Sequence, residues 1–193
     1  MAYATLTDLK RILGITDTLD DAVLTLALNA ASAALDNHVG RVFSKSVGET
    51  RYFTARDDDL LFVDDLVEID SLACDTDGDG MYETVWATTD YILLPANAPA
   101  EGLPYRSIKA KPLGTYRFPV WLDAGVEIVG SYGYPAVPVE VNQATLLQAA
   151  RLFRRKDAIF GVVGGGEMGQ AVQIAKLDPD IVLLLGSKHT PLY

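Results

Sequence analysis

Residues 21–40 read DAVLTLALNAASAALDNHVG, and this stretch decides the fold. Apolar residues recur in it at every third or fourth position, the spacing of side chains that share one face of an α-helix. They are Leu24, Leu28, Ala31, Leu35 and Val39. The closing glycine favours a helix end, because glycine readily takes the left-handed conformation of a C-terminal cap. The stretch therefore predicts an amphipathic helix, and its many alanines would let another helix approach closely.

Two further segments are predicted to be helices. Thr5 is typical of an N-cap, with Asp8 three residues later, and it opens a short helix that Gly14 is placed to end. The segment from Pro138 to Lys156 carries a second apolar stripe. Its members are Leu146, Ala149, Ala150 and Phe153. Because two amphipathic stripes that flank an insertion most simply bury each other, we expect this stripe to pack on the one described above.

The region between the helical segments, from about Thr50 to Val137, is typical of β-structure. Short β-branched and aromatic runs alternate there with clusters of Asp, Gly and Pro. The predicted strands are 51–54, 60–63, 66–73, 82–86, 91–94 and 126–132, and Gly130 is expected to mark a β-bulge. The prolines between Pro95 and Pro119 predict a long loop with one short strand near Ile108.

These segments predict an α+β fold. A small helical bundle, made of two N-terminal helices and one later helix, carries an inserted β-rich subdomain and an extended C-terminal arm. The expected boundaries are 1–44 and 138–160 for the helical core, 45–137 for the subdomain and 161–193 for the arm. A glycine-rich run, 161–169, predicts flexibility in the arm, and a short apolar helix is expected to follow at 180–185.

The composition of the chain limits the classes of function. Its 193 residues carry a formal charge of −10, which disfavours nucleic-acid binding by the surface as a whole. Its apolar runs are far shorter than the roughly 20 residues that span a bilayer, and its first residues do not resemble a signal peptide. The single cysteine, Cys74, fits a protein made in a reducing cytoplasm.

An acidic stretch in the middle region, Asp75-Thr-Asp-Gly-Asp-Gly80, matches the first half of a calcium loop. Asp75, Asp77, Asp79 and Glu83 are the candidate ligands. Trp86 stands where such a loop needs its bidentate acid, and Asp-Gly pairs between strands are also typical of hairpin turns. The sequence favours a hairpin turn and no cofactor, and it leaves bound Ca²⁺ open as the alternative.

Catalytic motifs do not stand out in the sequence. The two histidines, His38 and His189, are not accompanied by a nucleophile elbow. Residues 164–169 match a dinucleotide-binding pattern by letter, but too few residues follow for the βαβ unit that such a site requires. We therefore expect a protein that is not an enzyme.

The C-terminal part carries two features typical of an interface. Basic residues close the later helix, where they favour an acidic neighbour. They are Arg151, Arg154, Arg155 and Lys156. Apolar residues near the end predict a segment that docks on another surface. They are Ile181, Leu183, Leu184, Leu185, Leu192 and Tyr193.

Three stretches of the chain resemble the head–tail connector (adaptor) proteins of tailed bacteriophages. The first is Thr5 to Phe43, with Leu6-Thr-Asp-Leu-Lys10 near its start and His38-Val-Gly-Arg-Val-Phe43 at its end. The second runs from Pro135 into the later helix as far as Arg155. The third, residues 75–95, is similar to the expanded versions of that family.

The resemblance implies a virion protein of the neck between capsid and tail, made in the cytoplasm of a bacterial host. It implies a dodecameric ring that binds below the portal protein, extends the DNA channel and receives a stopper or tail protein. DNA would pass through the lumen without sequence-specific binding. The C-terminal basic and apolar residues would then contact the portal or a neighbouring subunit. The alternative is a cation-dependent binding module or small hydrolase that uses the loop from Asp75 to Glu83.

Overall fold

The computed structural model describes residues 2–155 and 179–186 and confirms the α+β fold. The chain forms two compact units, one of residues 1–43 and 137–193 and the other of residues 44–136. The first is helical and the second is built around a β-sheet. The helices are α1 (Leu6–Leu13), α2 (Asp21–Val39), α3 (Ala98–Glu101), α4 (Val139–Arg154) and α5 (Pro179–Leu185).

The predicted helix ends are present in α1 and α2. The Thr5 hydroxyl accepts a 3.1 Å hydrogen bond from the backbone N–H of Asp8, which satisfies one of the free donors of the first turn. Gly14 and Gly40 end the two helices with φ values of 71° and 73°, a conformation that side chains with a Cβ disfavour. Local sequence therefore fixes where both helices stop.

Within the described part of the helical unit, α1, α2 and α4 share an apolar core. The α2 face that the sequence predicted to be buried packs against the α4 stripe, and Phe153 lies half-buried at its margin. The buried members include Leu9, Leu24, Leu28, Ala31, Leu146 and Ala149. Each leucine fully buried in this way contributes about 1.5–3 kcal/mol, so the mutual burial of these faces stabilises the unit.

The sheet unit contains one antiparallel sheet of six strands. They are β1 (Glu49–Phe53), β2 (Leu60–Cys74), β3 (Thr84–Trp86), β4 (Tyr91–Leu94), β5 (Tyr105–Ala110) and β6 (Val126–Tyr132). The order is β1-β6-β2-β5-β4, and β3 pairs with the end of β2. One side of the sheet buries a core that includes Leu61, Leu66, Leu72, Ile108, Ile128 and Tyr132.

Two strand predictions need correction. The expected strands 60–63 and 66–73 are one strand, β2, because the pairing with β5 shifts register between Phe62 and Leu66 and does not stop there. The predicted loop 95–119 also contains the short helix α3. A register shift does accompany Gly130 as expected, since the pairing of β2 with β6 shifts between Ile69 and Ser71. A Cβ at Gly130 would lie 2.3 Å from the carbonyl oxygen of Glu68, so the strands can approach only at a glycine.

Candidate interaction surface

Basic residues of α4 form the first part of the predicted interface. Arg154 and Arg155 are exposed at the C-terminal end of the helix, and Arg151 is half-buried one turn earlier. Positive charge at this position is favourable, because the helix dipole places partial negative charge there. Lys156, the fourth predicted member, lies outside the described residues.

The short helix α5 packs against α4 and divides its apolar residues between two environments. Ile181 and Leu185 are fully buried, at 0% and 1% exposure. Val182 and Leu183 face solvent, with exposed fractions of 44% and 83%. Leu183 is therefore free to contact a partner, whereas Ile181 and Leu185 complete the core of this chain. Leu184 is half-buried, and Leu192 and Tyr193 lie outside the described residues.

A second exposed apolar surface, which the sequence reasoning missed, runs along α2 on the side away from the core. Leu19 just before the helix is 90% exposed, Val23 is 43% exposed and Leu26 is 72% exposed. Ala30 and Ala33 continue the same line at helical spacing and are also exposed. We call these five residues the α2 stripe. The signal for it was in the sequence, because the helix carries more apolar residues than one buried face can hold.

The acidic loop connects the antiparallel strands β2 and β3 and forms a hairpin. Both carboxylate oxygens of Asp75 accept hydrogen bonds from the loop backbone. Oδ1 accepts from the N–H groups of Gly78 at 2.7 Å and Asp77 at 3.2 Å, and Oδ2 accepts from Gly80 at 2.9 Å. The backbone N–H groups of the loop thus provide the hydrogen-bond donors for Asp75, the one buried carboxylate of the loop.

The ionisation of Asp75 follows from these contacts. Burial disfavours its charged form, but the hydrogen bonds from Gly78, Gly80 and Asp77 outweigh that effect, and the pKa of Asp75 lies below its ordinary value. The carboxylate oxygens of Asp75, Asp77, Asp79 and Glu83 come within 4.8 Å of one another. That grouping would accommodate a hard cation such as Ca²⁺, although three of the four residues are exposed.

Of the two histidines that could serve as a catalytic base, the structure describes one. His38 is half-buried near the end of α2, and His189 and residues 164–169 lie outside the described part of the chain. Cys74 is fully buried, and burial raises the pKa of its thiol to about 12, so it remains protonated and unreactive. Among the described helices, none is both long and apolar enough to span a membrane.

Comparison with known proteins points to the same family as the sequence. Residues 3–63 match the family described as "Phage gp6-like head-tail connector protein". The match covers α1, α2, β1 and the start of β2, which includes the N-terminal stretch on which the resemblance was based. The resemblance to head–tail connectors is therefore confirmed. No curated protein matches the chain.

A solved structure has the same fold. Its title is "Neck of empty GTA particle computed with C6 symmetry". The similar chain in it is 21% identical, and the alignment covers 99% of the present chain and 91% of that one with a TM-score of 0.60. The likeness thus extends over both units.

Proposed function

We propose that the protein is a structural connector between the head and the tail of a phage-like particle. The chain resembles phage head–tail connectors and has the fold of a chain in a solved neck structure. The observation that carries this proposal is the agreement of two comparisons over the same helices. The N-terminal segment matches the connector family, and the fold matches a neck chain over nearly its whole length. The protein would be made in the cytoplasm of the bacterial host and act in the virion neck.

In this role, copies of the chain form a ring below the portal protein and extend the DNA channel. The similar neck was computed with sixfold symmetry, and a dodecameric ring is compatible with that symmetry. A formal charge of −10 suits a wall that DNA slides past, because like charges reduce adhesion to the phosphate backbone.

The C-terminal surface made of Arg154, Arg155 and Leu183 is the proposed contact with the portal or an adjacent subunit. It combines exposed positive charge with an exposed apolar side chain, a composition that suits the rim and centre of an interface. A stopper or tail protein would bind elsewhere on the ring. The protein acts by docking and is not an enzyme.

A cation-binding function for the loop from Asp75 to Glu83 is the second candidate, and the close approach of its four carboxylates favours it. A bound Ca²⁺ would reduce their mutual repulsion. A module or hydrolase of this kind would work as a single copy, without a ring.

Negative-stain microscopy of the purified protein mixed with the portal ring of the same particle tests the proposal. We expect an added ring of density on one end of each portal. Bare portals beside free monomers would contradict the connector role. Turnover that depends on Ca²⁺ by such monomers would favour the second candidate.

A further inference from the structure

We propose that the α2 stripe of one subunit binds the α5 surface of the next subunit, and that this contact closes the ring. The inference rests on the proposed ring and names the partner of its C-terminal surface. In a closed ring each subunit presents two different surfaces, one to each neighbour. The stripe lies on α2, and the α5 surface is defined by Val182 and Leu183 of α5 together with Arg154 and Arg155 at the end of α4, the helix against which α5 packs.

The apolar character of both surfaces is the first reason. Leu19 and Leu26 expose 90% and 72% of their surface, and Leu183 exposes 83%. A leucine that leaves water on docking contributes about 1.5–3 kcal/mol, so leaving several of them in water is unfavourable. Ala30 and Ala33 at the C-terminal half of the stripe are small enough for a helix to lie close against α2.

Complementary charge is the second reason, and it selects a second copy over other partners. Asp17 is exposed next to Leu19, and it has no ion pair within the described residues. Arg154 and Arg155 carry the opposite charge and are exposed at the C-terminal end of α4, the helix against which α5 packs. An acidic margin on one apolar surface and a basic margin on the other favour a head-to-tail pairing of identical chains. The same charges disfavour pairing of a stripe with a stripe.

Disulfide trapping in the full chain tests this contact directly. The variant Leu26→Cys/Leu183→Cys places one thiol on each surface, and the native Cys74 is buried and does not interfere. Mild oxidation should give a ladder of covalent oligomers, because each subunit can bond to two neighbours. The matched control is Thr25→Cys/Leu183→Cys, since Thr25 is exposed on α2 and is not three or four residues from any member of the stripe. We expect at least about a fivefold higher yield than in the control, because a disulfide requires Cα atoms within about 7 Å.

The same experiment distinguishes the other surfaces that could cover the α2 stripe. Covalent dimers of the single variant Leu26→Cys would show that two α2 stripes pair with each other. A disulfide within one chain would show that the stripe is covered by α5 of the same chain. Either result overturns the inference. The absence of any ladder also overturns the inference, because cross-linked product accumulates even when the contact between subunits is weak. If rings still form on portals in that case, the connector role stands and only this contact is wrong.

Charge provides an independent measurement. The variant Arg154→Glu/Arg155→Glu, made in the background of the two cysteines, should lower the ladder yield several-fold. Arg56→Glu should leave it unchanged, since Arg56 is exposed on the sheet unit. Added salt should also lower the yield, because it screens exposed charges. A yield that is insensitive to the two arginines and to salt would contradict the charge pairing.

Discussion

The side-chain amide of Asn142 on α4 donates a 2.8 Å hydrogen bond to the backbone carbonyl of Tyr3, 139 residues earlier in the chain. Tyr3 in turn is fixed to α2, because its backbone N–H donates to the Ser32 hydroxyl at 3.1 Å. Its own hydroxyl accepts a 3.0 Å hydrogen bond from the N–H of Phe43. The first residues of the chain are thereby held between α2 and α4, and the helical unit is closed by polar as well as apolar contacts.

Replacing Asn142 by Ala should lower the free energy of unfolding by about 1 kcal/mol, the usual contribution of one hydrogen bond within a protein. Urea unfolding followed by circular dichroism measures the change. Asn29→Ala, at an exposed position of α2, serves as the control and should have little effect. An equal effect of both variants would mean that the Tyr3 contact does not stabilise the unit.

A pair of leucines on the same helix tests the core. Leu28 is 2% exposed and Leu26 is 72% exposed, so truncation should affect them very differently. Leu28→Ala should cost about 2–5 kcal/mol through lost burial and a residual cavity. Leu26→Ala should change stability by less than about 0.5 kcal/mol. Thermal or urea unfolding of the two variants side by side gives the comparison, and similar losses would place the wrong face of α2 in the core.

Gly130→Ala should destabilise the sheet unit by about 3 kcal/mol or more, because the added Cβ would overlap the Glu68 carbonyl and force β2 and β6 apart. Gly48→Ala is the matched control, since Gly48 has a positive φ of 68° but no heavy atom within 4 Å of the added Cβ. It should cost only about 1 kcal/mol. Amide hydrogen exchange of β2 and β6 would show whether the loss is local to these strands.

The loop carboxylate Asp75 should make stability depend on pH. Its pKa is lower in the folded protein than in the unfolded chain, so the folded form is favoured while the group is ionised. The stabilisation is present above the ordinary pKa and is lost as the pH falls through the lowered one. Asp75→Asn should therefore destabilise the protein at neutral pH and converge on the parent protein in strong acid. Urea unfolding across this pH range is the measurement, and a constant difference would show that the charge does not matter.

Calcium provides a separate test of the same loop. The backbone already satisfies Asp75, so we expect the melting temperature to be unchanged by a chelator or by added Ca²⁺, both in the parent protein and in Asp77→Ala. A ligand that binds only the folded state raises its stability. A rise of several degrees with Ca²⁺ that Asp77→Ala abolishes would favour the cation-binding alternative.

The two faces of α5 should respond differently to substitution. Leu183→Asp should leave the melting temperature unchanged and weaken attachment to portal rings, because its side chain lies in solvent. Ile181→Ala should instead destabilise the helical unit by about 2–5 kcal/mol, since Ile181 is fully buried. Co-sedimentation with portals and thermal unfolding separate the two effects. Normal attachment of Leu183→Asp would move the contact to another surface.

Local sequence was sufficient to predict α1, α2, α4 and α5 and several of their ends, but not the short helix α3. The period of Leu24, Leu28 and Ala31 defined the buried face of α2. Gly14 and Gly40 marked the ends of α1 and α2 through a requirement of the backbone alone. The continuity of β2 could not be predicted in this way. Its two halves are joined across Asp64 and Asp65, residues that favour turns, and only pairing with distant strands keeps them extended.

The candidate interface also depends on tertiary contacts that local sequence does not predict. Hydrophobicity identified residues 181–185 as a docking segment, but it could not say that Ile181 and Leu185 face α4 and that Leu183 faces solvent. That division depends on how α5 lies on α4, which is a tertiary contact. For the same reason the α2 stripe was missed, because only the packed bundle shows which apolar residues remain outside it.

The position of the sheet unit within the chain has a consequence for synthesis on the ribosome. Residues 44–136 must all be translated between α2 and the helix against which it packs. Until α4 leaves the exit tunnel, α1 and α2 have only each other, whereas the sheet unit can already pair all its strands. We therefore expect the inserted unit to fold first and the helical unit to close last, in the order in which their final strand and helix are completed. A new chain would become competent to join a ring only after its last helices have been made.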